Sequence, residues 1–600
     1  MCGFAGEIRF DGRLADVAGL QAMSACLERR GPDAAGTWQE GPIGLVHRRL
    51  TIIDLSAAGA QPMIDNELGL RLVFNGCIYN YRELRRELQG QGYRFFSESD
   101  TEVILKAYHA WGERAVERFL GMFALAIAER ESGRVILARD RLGIKPLYLA
   151  RSAGRVRFAS SLPALAARSP SGSRVDPELD TTIDTEALHH YLTFHSVVPA
   201  PQTIIRGIRK LPPATVRVIE RDGTERDSVY WQPQFVRPER AGSREEWRDR
   251  VIDALRLAVQ RRMVADVPVG VLLSGGLDSS LVVALLAESG QKELATFSIG
   301  FEAAGGESGD EFQYSDIVAQ AFGTNHTQIR IRDDRLLPAV DGAIASMSEP
   351  MISHDAVAFY LLSEQVRKHV KVVQSGQGAD EIFAGYDWYP PLADVPRDQA
   401  LEAYSRVFFD RPRALLEQIV EPAFLAESDV SRDFVREHFA RPGAETALDA
   451  ALRIDSTIML VDDPVKRVDN MTMAWGLEGR VPFLDHELVE LAAACPPELK
   501  LAQGGKGVLK DAARRLLPAA VIDRKKGYFP VPGIRHLSGA LLEKVRAALS
   551  GPVARQRGLF RPSYVQQLLE APNLTRSTLG SNVTWQLGLL ELWLQTQRLG

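Results

Sequence analysis

The stretch VPVGVLLSGGLDSSLVVALLAESG, Val267 to Gly290, decides the fold of the second half of this chain. It begins as a run of branched apolar residues, continues as a Gly-rich loop and ends as an apolar helix. ATFSIGF (Ala295 to Phe301) supplies the next strand, and HVKVVQSGQGADEIFAGY (His369 to Tyr386) repeats the strand–loop–helix pattern. This order predicts a parallel sheet with crossover helices.

The chain before this unit has a different pattern. Up to about Asp227 it mixes short apolar runs with turn signals, and TEVILKAYHAWGERAVERF from Thr101 predicts an amphipathic helix. The polar, Pro- and Arg-rich stretch WQPQFVRPERAGSR (Trp231 to Arg244) predicts a linker, and from Arg397 onward the chain is predicted to be mainly helical. The predicted strands include IGLVH (Ile43 to His47), LRLVFNG (Leu70 to Gly76) and RVILARD (Arg134 to Asp140).

Length and composition exclude several classes of protein. With 600 residues the chain is too long for one core, and its 45% hydrophobic and 25% charged residues are ordinary for a globular protein. The net charge of -5 argues against a nucleic-acid partner, and no apolar run is long enough to span a bilayer. The start of the chain has no secretory signal pattern. Four scattered cysteines make neither a disulfide framework nor a zinc site, so we expect a reducing cytoplasm.

The loop LLSGGLDSS (Leu272 to Ser280) has the composition of a phosphate-binding loop. Its glycines let backbone N–H groups approach phosphate oxygens, and the start of the following helix adds positive potential. It lacks the Gly-Lys-Ser/Thr ending of a Walker loop, and no GxGxxG fingerprint is present. The alternative interpretation of the bare motif is a Gly-Gly turn with an Asp helix cap.

Cys2 is a candidate nucleophile because of its position. Removal of the initiator methionine would place the Cys2 thiol beside its own α-amine. An α-amine with a pKa of about 7.7 to 8.0 is partly neutral and can act as a base. The alternative interpretation is an incidental small residue after methionine.

Ordered motifs strengthen the case for Cys2. Together they resemble the N-terminal-nucleophile glutaminase domain of class II glutamine amidotransferases, especially that of asparagine synthetases. The motifs are MCGFAG at the start, RRGPDAAG (Arg29 to Gly36), HRRLTIIDLS (His47 to Ser56), NGCIYNY (Asn75 to Tyr81), SDTEV (Ser99 to Val103) and ARDRLGIKPLY (Ala138 to Tyr148).

The resemblance implies a role for each pocket residue. Cys2 would attack the glutamine amide, and the Asn75 side chain with the Gly76 N–H would stabilise the oxyanion. Arg49 would hold the glutamine α-carboxylate and Asp100 the α-ammonium. The alternative interpretations are a surface salt bridge for Arg49 and a helix N-cap for Asp100.

One position departs from the family. Asparagine synthetases usually carry Glu where this chain has Cys77, as NGCIYN in place of NGEIYN. A neutral thiol cannot replace an anionic contact to the α-ammonium, so we expect Asp100 to carry more of that role.

The loop SGGLDS resembles the pyrophosphate loop of ATP pyrophosphatases, which cleave ATP between its α- and β-phosphates. In the family, Asp278 and Asp380 of the second loop, SGQGADE, would together hold Mg²⁺ on the phosphates. Gln377 replaces a residue that is commonly acidic. The residues that the resemblance implies in ATP binding are Leu273, Ser274, Gly275, Gly276, Asp278, Ser279, Ile299, Ser375 and Gly376.

Further family segments follow. KGVLKDAARRLLP (Lys506 to Pro518) resembles the segment that supplies a catalytic lysine, so Lys506 would neutralise charge at the α-phosphate, whereas Lys510 is interpreted as a solvated lysine. MTMAWGLEGRVPFLD (Met471 to Asp485) and RKKGYFPVP (Arg524 to Pro532) are expected to shape the synthetase pocket. The acidic segment 302–312 is expected to be a solvated loop, with a nucleotide lid as the alternative.

The resemblance implies a complete reaction. The glutaminase would release ammonia, and the second domain would use ATP and Mg²⁺ to convert a carboxylate into an acyl-adenylate that ammonia attacks. Since ammonia is mostly protonated in neutral water, we expect a dry internal passage between the sites. In SEPMISHDAVAFYLL (Ser348 to Leu362), Glu349 would face the acceptor. The sequence of this segment, together with VVQSGQGADEIFAGY and NGCIYNY, resembles that of the N-acetylglutaminylglutamine amidotransferases, a bacterial branch that makes an osmoprotectant. Aspartate is the second candidate acceptor.

The expected fold class is therefore α/β. It comprises an αββα N-terminal-nucleophile sandwich at 2–228, a linker at 229–244 and an ATP-pyrophosphatase-type parallel-sheet domain with a helical C-terminal part at 245–600. The expected partners are glutamine, ATP and a carboxylate acceptor, with no nucleic acid or membrane, and a homodimer is left open. A β-lactam-synthetase-like cyclase tends to lose the N-terminal cysteine, and a non-catalytic sensor would be expected to lose Cys2, Asp278 or Asp380.

Overall fold

The computed structural model describes residues 2–169, 171–240, 242–302, 309–524, 527 and 531–600. Residues 303–308 of the acidic segment, and residues 525, 526 and 528–530 of RKKGYFPVP, lie outside the described residues. The expectation of a solvated loop or a lid at 303–308 therefore falls outside the described residues.

The N-terminal part contains two antiparallel six-stranded sheets, with strand orders β10-β8-β9-β1-β3-β2 and β12-β11-β7-β6-β5-β4. The predicted strands at 43–47, 70–76 and 134–140 are confirmed as β3, β5 and β7. The strands are β1 (Gly3–Arg9), β2 (Ala34–Glu40), β3 (Ile43–Arg49), β4 (Met63–Asp65), β5 (Leu70–Ile78), β6 (Gly121–Glu129), β7 (Val135–Arg139), β8 (Tyr148–Ser152), β9 (Arg155–Ala159), β10 (Ile208–Lys210), β11 (Thr215–Ile219) and β12 (Glu225–Val229).

Helices cover the outer face of each sheet. The alternation along β5 shows how: Val73 packs between the two sheets, whereas Leu72 and Phe74 on the other face pack under helices. Because both faces are covered, the strands β5, β6 and β7 are buried nearly throughout, whereas the edge strands β2 and β12 are largely exposed. The predicted αββα sandwich is confirmed. The helices of this part are α1 (Val17–Cys26), α2 (Tyr81–Gly90), α3 (Asp100–Trp111), α4 (Leu162–Leu165) and α5 (Thr185–Thr193).

The second part contains the predicted parallel sheet, with strand order β15-β14-β13-β16-β17. Each nucleotide-loop candidate follows a strand and precedes a helix, as the sequence predicts. The strands are β13 (Val269–Leu272), β14 (Ala295–Phe301), β15 (Asn325–Ile331), β16 (Val372–Gln374) and β17 (Glu478–Arg480). The helices up to the second loop are α6 (Arg244–Arg261), α7 (Leu277–Glu288), α8 (Phe312–Phe322), α9 (Leu336–Ser346), α10 (Asp355–Val366) and α11 (Ala379–Phe383).

The chain beyond Arg397 is mainly helical, as predicted. Between α15 and α16 the backbone forms two π-helical turns, Asp455–Met459 and Val461–Val465, the second of which contains Pro464. The helices are α12 (Ala400–Phe408), α13 (Arg413–Ile419), α14 (Val430–Ala440), α15 (Ala447–Ile454), α16 (Lys466–Met473), α17 (His486–Ala494), α18 (Pro497–Leu501), α19 (Gly507–Ala513), α20 (Ala519–Ile522), α21 (Pro532–Arg535), α22 (Gly539–Ser550), α23 (Pro552–Arg557), α24 (Pro562–Glu570) and α25 (Val583–Gln597).

Ion pairs join the two parts of the chain. Asp469 on α16 lies 2.9 Å from Arg30 and 3.2 Å from Lys145, and all three side chains are buried. Lys371 and Asp33 form a more exposed pair at 2.8 Å. The two parts of the chain therefore share an interface that contains both buried and more exposed ion pairs. No helix among the described residues has the length and apolar character needed to cross a membrane.

Candidate active site

The first site is a small cavity around Cys2, at the start of β1. The Cys2 thiol is buried, and the backbone nitrogen of Cys2 donates a hydrogen bond to Oδ1 of Asn75 at 3.1 Å. Burial raises the pKa of the Cys2 thiol above its usual range. The resting form is therefore the thiol, and nucleophilic attack requires a base.

Donors for an oxyanion lie beside Cys2 on β5. The side-chain amide nitrogen of Asn75 is buried and has no hydrogen-bond partner among the residues that the structure describes. At Gly76 any side chain would collide with the backbone carbonyl of Met122 on the adjacent strand β6. Gly76 lines the cavity, whereas Asn75 does not; Asn75 instead holds an unused buried donor next to Cys2, and stabilisation of an oxyanion requires such a donor.

Arg49 forms another wall of this cavity. Its guanidinium donates to the backbone carbonyls of Ser56 at 2.8 Å and Asp54 at 2.5 Å. Arg49 is largely buried, and a side chain on Gly59 would collide with its guanidinium. The interpretation of Arg49 as a surface salt bridge is therefore wrong.

Asp100 begins α3 but does not cap it. The cap is Ser99, whose hydroxyl accepts a hydrogen bond from the Thr101 N–H at 3.0 Å. Asp100 instead turns inward, lines the Cys2 cavity and accepts a hydrogen bond from the Ile78 N–H at 3.1 Å. Burial, reinforced by the charge of Glu478, raises the pKa of Asp100 to about 6.

Two residues of the synthetase part reach this cavity, and sequence reasoning missed them. Glu478 on β17 lines the cavity together with Cys77. Arg480, on the same strand, lies 2.5 Å from Glu478 and donates a hydrogen bond to the Cys77 sulfur at 3.7 Å. The segment Met471 to Asp485, which was expected to shape the synthetase pocket, therefore also contributes Glu478 to the Cys2 cavity. The motif contains no signal that its edge strand faces the other part.

The second site is a cavity of about 450 Å³ at the carboxyl ends of the parallel strands. Gly275 has a φ of +71° and forms the turn behind the wall, so it does not line the cavity. The other eight residues predicted to bind ATP do line it: Leu273, Ser274, Gly276, Asp278, Ser279, Ile299, Ser375 and Gly376.

Two carboxylates and a lysine meet on this cavity. The Lys506 ammonium lies 2.6 Å from Asp278 and 2.8 Å from Asp380. Burial opposes the charge on Lys506, but the two carboxylates outweigh it and raise the Lys506 pKa. At Gly385 any side chain would collide with the Asp380 carboxylate and the Lys506 side chain, so glycine leaves room for this cluster.

Other cations line the same cavity. Lys510 is half-buried there, and its ammonium donates to the Gln503 carbonyl at 2.7 Å in an exposed contact, so its interpretation as a solvated lysine stays a prediction. Arg467 and Arg524 also contribute to the wall. Arg524 begins the segment that was expected to shape the synthetase pocket, whereas Arg467 was not singled out from the sequence.

Glu349 lies elsewhere. It is buried and does not line the nucleotide cavity. Its carboxylate lies 3.1 Å from Lys210 of the N-terminal part and 3.5 Å from Lys466. The segment that contains it instead contributes Asp355, Phe359 and Leu362 to the cavity wall. Both lysines lie against Oε2 of Glu349, whereas the buried Oε1 has no hydrogen-bond partner among the described residues, so the expectation that Glu349 faces the acceptor stays a prediction.

Comparison with known proteins covers both parts. Residues 1–231 match the family model described as a glutamine amidotransferase domain, and residues 250–595 match the model described as asparagine synthase. Asparagine synthetase [glutamine-hydrolyzing] 1 of Bacillus subtilis is 32% identical, covering 99% of this chain and 96% of that protein. A putative asparagine synthetase [glutamine-hydrolyzing] of Mycobacterium tuberculosis is 33% identical, covering 92% and 91%.

A more distant relative is asparagine synthetase B [glutamine-hydrolyzing] of Escherichia coli, which is 27% identical and covers 84% of this chain and 78% of its own length. The matches extend over both cavities and over the linker between them. The chain therefore belongs to the asparagine synthetase family of glutamine-hydrolysing, ATP-dependent ligases that form amides.

Proposed function

We propose that this chain hydrolyses glutamine at Cys2 and uses the ammonia to amidate a carboxylate that ATP has activated as an acyl-adenylate. The observation that carries the proposal is the pairing of two chemically different cavities in one chain. One combines a buried thiol with the unpaired amide donor of Asn75. The other combines two phosphate-type loops with Lys506, Asp278 and Asp380.

In the first cavity we assign the following steps. The Cys2 thiol gives its proton to the α-amine exposed when methionine is removed, and its sulfur attacks the side-chain carbonyl carbon of glutamine. Asn75 and the Gly76 N–H stabilise the oxyanion while Arg49 and Asp100 hold the α-carboxylate and α-ammonium. The protonated α-amine then gives this proton to the amide nitrogen, so that ammonia leaves as the thioester forms. Water finally cleaves the thioester to glutamate and restores the thiol.

In the second cavity ATP is a substrate. We propose that an oxygen of the acceptor carboxylate attacks the α-phosphorus, so that pyrophosphate leaves and the acyl-adenylate remains. Attack by ammonia at the acyl carbon then gives the amide and AMP. Lys506 is positioned to neutralise charge at the α-phosphate, and the glycines of both loops allow the chain to approach the phosphates. The dry passage for ammonia remains part of the proposal.

The residues of this cavity fit a magnesium ion. Two carboxylates meet where Gly385 leaves space, and Mg²⁺ prefers carboxylate and phosphate oxygens while keeping several waters. No group of three or more His, Cys, Asp or Glu side chains suited to a metal occurs in the described part of the chain, so a metal here would depend on phosphate oxygens. We propose that Asp278 and Asp380 hold Mg²⁺, which would neutralise charge on the phosphates when bound.

The identity of the acceptor is the most specific part of the proposal. The sequence of Ser348 to Leu362 supports N-acetylglutaminylglutamine as the acceptor, and its terminal carboxylate would be amidated. The names of the relatives support aspartate as the second candidate. Because Asp355 and Arg467 line the nucleotide cavity and Glu349 does not, we assign the acceptor-facing wall of this cavity to Asp355 and Arg467.

The test incubates the protein with glutamine, ATP, Mg²⁺ and either N-acetylglutaminylglutamine or aspartate, and measures pyrophosphate, glutamate and amide product. We expect pyrophosphate and amide product in the reaction that contains the dipeptide, and neither in the reaction that contains aspartate. Pyrophosphate release with aspartate and none with the dipeptide would reverse the choice of acceptor. Ammonium chloride in place of glutamine separates acceptor selection from the supply of ammonia.

The proposed division into 2–228, 229–244 and 245–600 is supported by the ranges of the two family models. A cytoplasmic location is supported by the chemistry of Cys2, which requires a reduced thiol. A homodimer remains open within this proposal.

A further inference from the structure

We propose that Glu478, a residue of the synthetase part, supplies a carboxylate for the α-ammonium of glutamine in place of the acid that position 77 lacks. The inference rests on the proposed glutaminase function and deepens it. It makes the glutamine pocket a composite of both parts of the chain.

The location of Glu478 is the first support. Glu478 begins β17 at the edge of the parallel sheet, yet it lines the same cavity as Cys2, Arg49 and Asp100. It is 1% exposed, so the charge lies inside the pocket wall and not on the surface. A buried carboxylate beside a ligand cavity interacts strongly with a ligand cation because little water screens it.

The chemistry of position 77 is the second support. Burial raises the pKa of the Cys77 thiol far above its usual range, so it remains neutral at physiological pH. Cys77 therefore cannot act as a counter-ion. Arg49 provides the positive end of the pocket for a zwitterionic substrate, and the negative end falls to Asp100 and Glu478.

The charge state of Glu478 is the third support. Burial works against its ionisation, but the Arg480 guanidinium outweighs it and lowers the pKa of Glu478 to about 2. Glu478 is therefore a carboxylate throughout the physiological range. Its charge is also among the causes that raise the pKa of Asp100, which shows that the two carboxylates act on each other across the pocket. An ammonium group near both would relieve that repulsion.

Arg480 fixes the position of Glu478. It donates to the carbonyls of Arg262 at 2.7 Å and Val264 at 2.8 Å, and it lies 2.5 Å from Glu478. A side chain held in this way loses little freedom when a ligand arrives, which favours binding. The competing explanation is that Glu478 only neutralises Arg480 and has no contact with substrate.

The test compares Glu478→Gln with the wild type in glutamine hydrolysis. We expect KM for glutamine to rise about tenfold or more with kcat changed little, because the lost interaction is made equally in the ground and transition states. We also expect the preference for glutamine over its deamino analogue, which lacks the α-ammonium, to fall by about the same factor. Glu98→Gln is the matched control, since Glu98 lies two positions from Asp100 but is exposed and paired with Arg85.

Rescue separates substrate contact from a structural role. Adding Cys77→Glu to Glu478→Gln should restore KM and the preference for the ammonium, whereas Cys77→Gln, of the same size, should not. Unchanged KM in Glu478→Gln, or a loss of activity that Cys77→Glu does not relieve, would overturn the inference. Amide formation from ammonium chloride reports whether β17 and the nucleotide loop remain folded. If the wild type itself releases no glutamate, the proposed function fails, which is a different result.

Discussion

The ammonium group of Lys506 lies 2.6 Å from the carboxylate of Asp278, although the two residues are 228 positions apart in the chain. Lys506 has a φ of +55° and immediately precedes α19, and Asp278 lies in the first turn of α7. The first turns of two helices therefore place opposite charges on one cavity. Phosphoryl chemistry needs this arrangement, because cations and metal ligands must be in position before substrate arrives.

Replacement of Lys506 should separate the two activities. We expect Lys506→Met to lower acceptor-dependent pyrophosphate release about 100-fold or more, because charge at the α-phosphate would lose its cation. Glutamine hydrolysis without ATP should remain near the wild-type rate. Lys368→Met, an exposed lysine at the end of α10, is the control and should retain both activities. Equal loss of both activities in Lys506→Met would indicate general misfolding.

Replacement of Cys2 should have the reverse effect. We expect Cys2→Ala to abolish glutamate release while amide formation from ammonium chloride persists, since the nucleotide cavity is separate. Cys26→Ala removes the exposed thiol and serves as the matched control. Glutamate release by Cys2→Ala at the wild-type rate would contradict the assignment of the nucleophile.

Glutamine affinity should depend on pH through Asp100. Its pKa of about 6 means that the carboxylate is present above that pH and becomes a neutral carboxyl as pH falls through it. We expect the Kd for glutamine, measured on the inactive Cys2→Ala variant, to rise by up to about tenfold per unit below pH 6. Over that range Glu478 and Arg480 remain charged and Cys77 remains neutral.

Asp100→Asn provides the control for that titration. The variant should bind glutamine weakly, and its Kd should no longer change between about pH 7 and pH 5. An identical pH dependence in Asp100→Asn and in the parent would assign the titration to another group.

The buried ion pairs of Asp469 should contribute more to the free energy of unfolding than the exposed pair of Asp33 and Lys371. Asp469→Asn leaves Arg30 and Lys145 buried without their counter-ion, and we expect the free energy of unfolding to fall by about 3–5 kcal/mol. Asp33→Asn breaks the more exposed pair with Lys371 and should cost less than about 1 kcal/mol. Denaturant titrations of both variants, with matched slopes, test this difference.

Much of this arrangement can be predicted from local sequence. Strand–loop–helix units place Asp278 and Ser375 at neighbouring strand ends, and the N-terminal motifs bring Cys2, Arg49 and Asp100 to one pocket, with Asn75 hydrogen-bonded to Cys2 beside it. In both cases the functional residues lie within a short segment next to a strand, so the position of the strand determines where they lie. Asp100 shows the limit of that reasoning, because its neighbour Ser99 makes the cap that Asp100 could equally have made.

Residues that depend on packing between the parts could not be predicted in this way. Glu349 does not line the nucleotide cavity, and its carboxylate pairs with Lys210, which lies 139 positions earlier. Glu478 reaches the glutamine pocket because β17 is the edge strand nearest to it, and edge position follows from strand order and not from the motif. Long-range placement of this kind is encoded in the whole interface, so no single segment contains it.

The position of β17 also limits how the chain can be recombined. The N–H of Ser375 in the second nucleotide loop donates to the backbone carbonyl of Arg480 at 2.8 Å, and the other side of that strand borders the glutamine pocket. A chimera made by exchanging N-terminal domains at the linker would therefore combine the glutamine pocket of one protein with the β17 strand of another. Successful exchange between relatives would have to carry β17 along with the domain it serves, so the functional boundary of the glutaminase is not a single point in the chain.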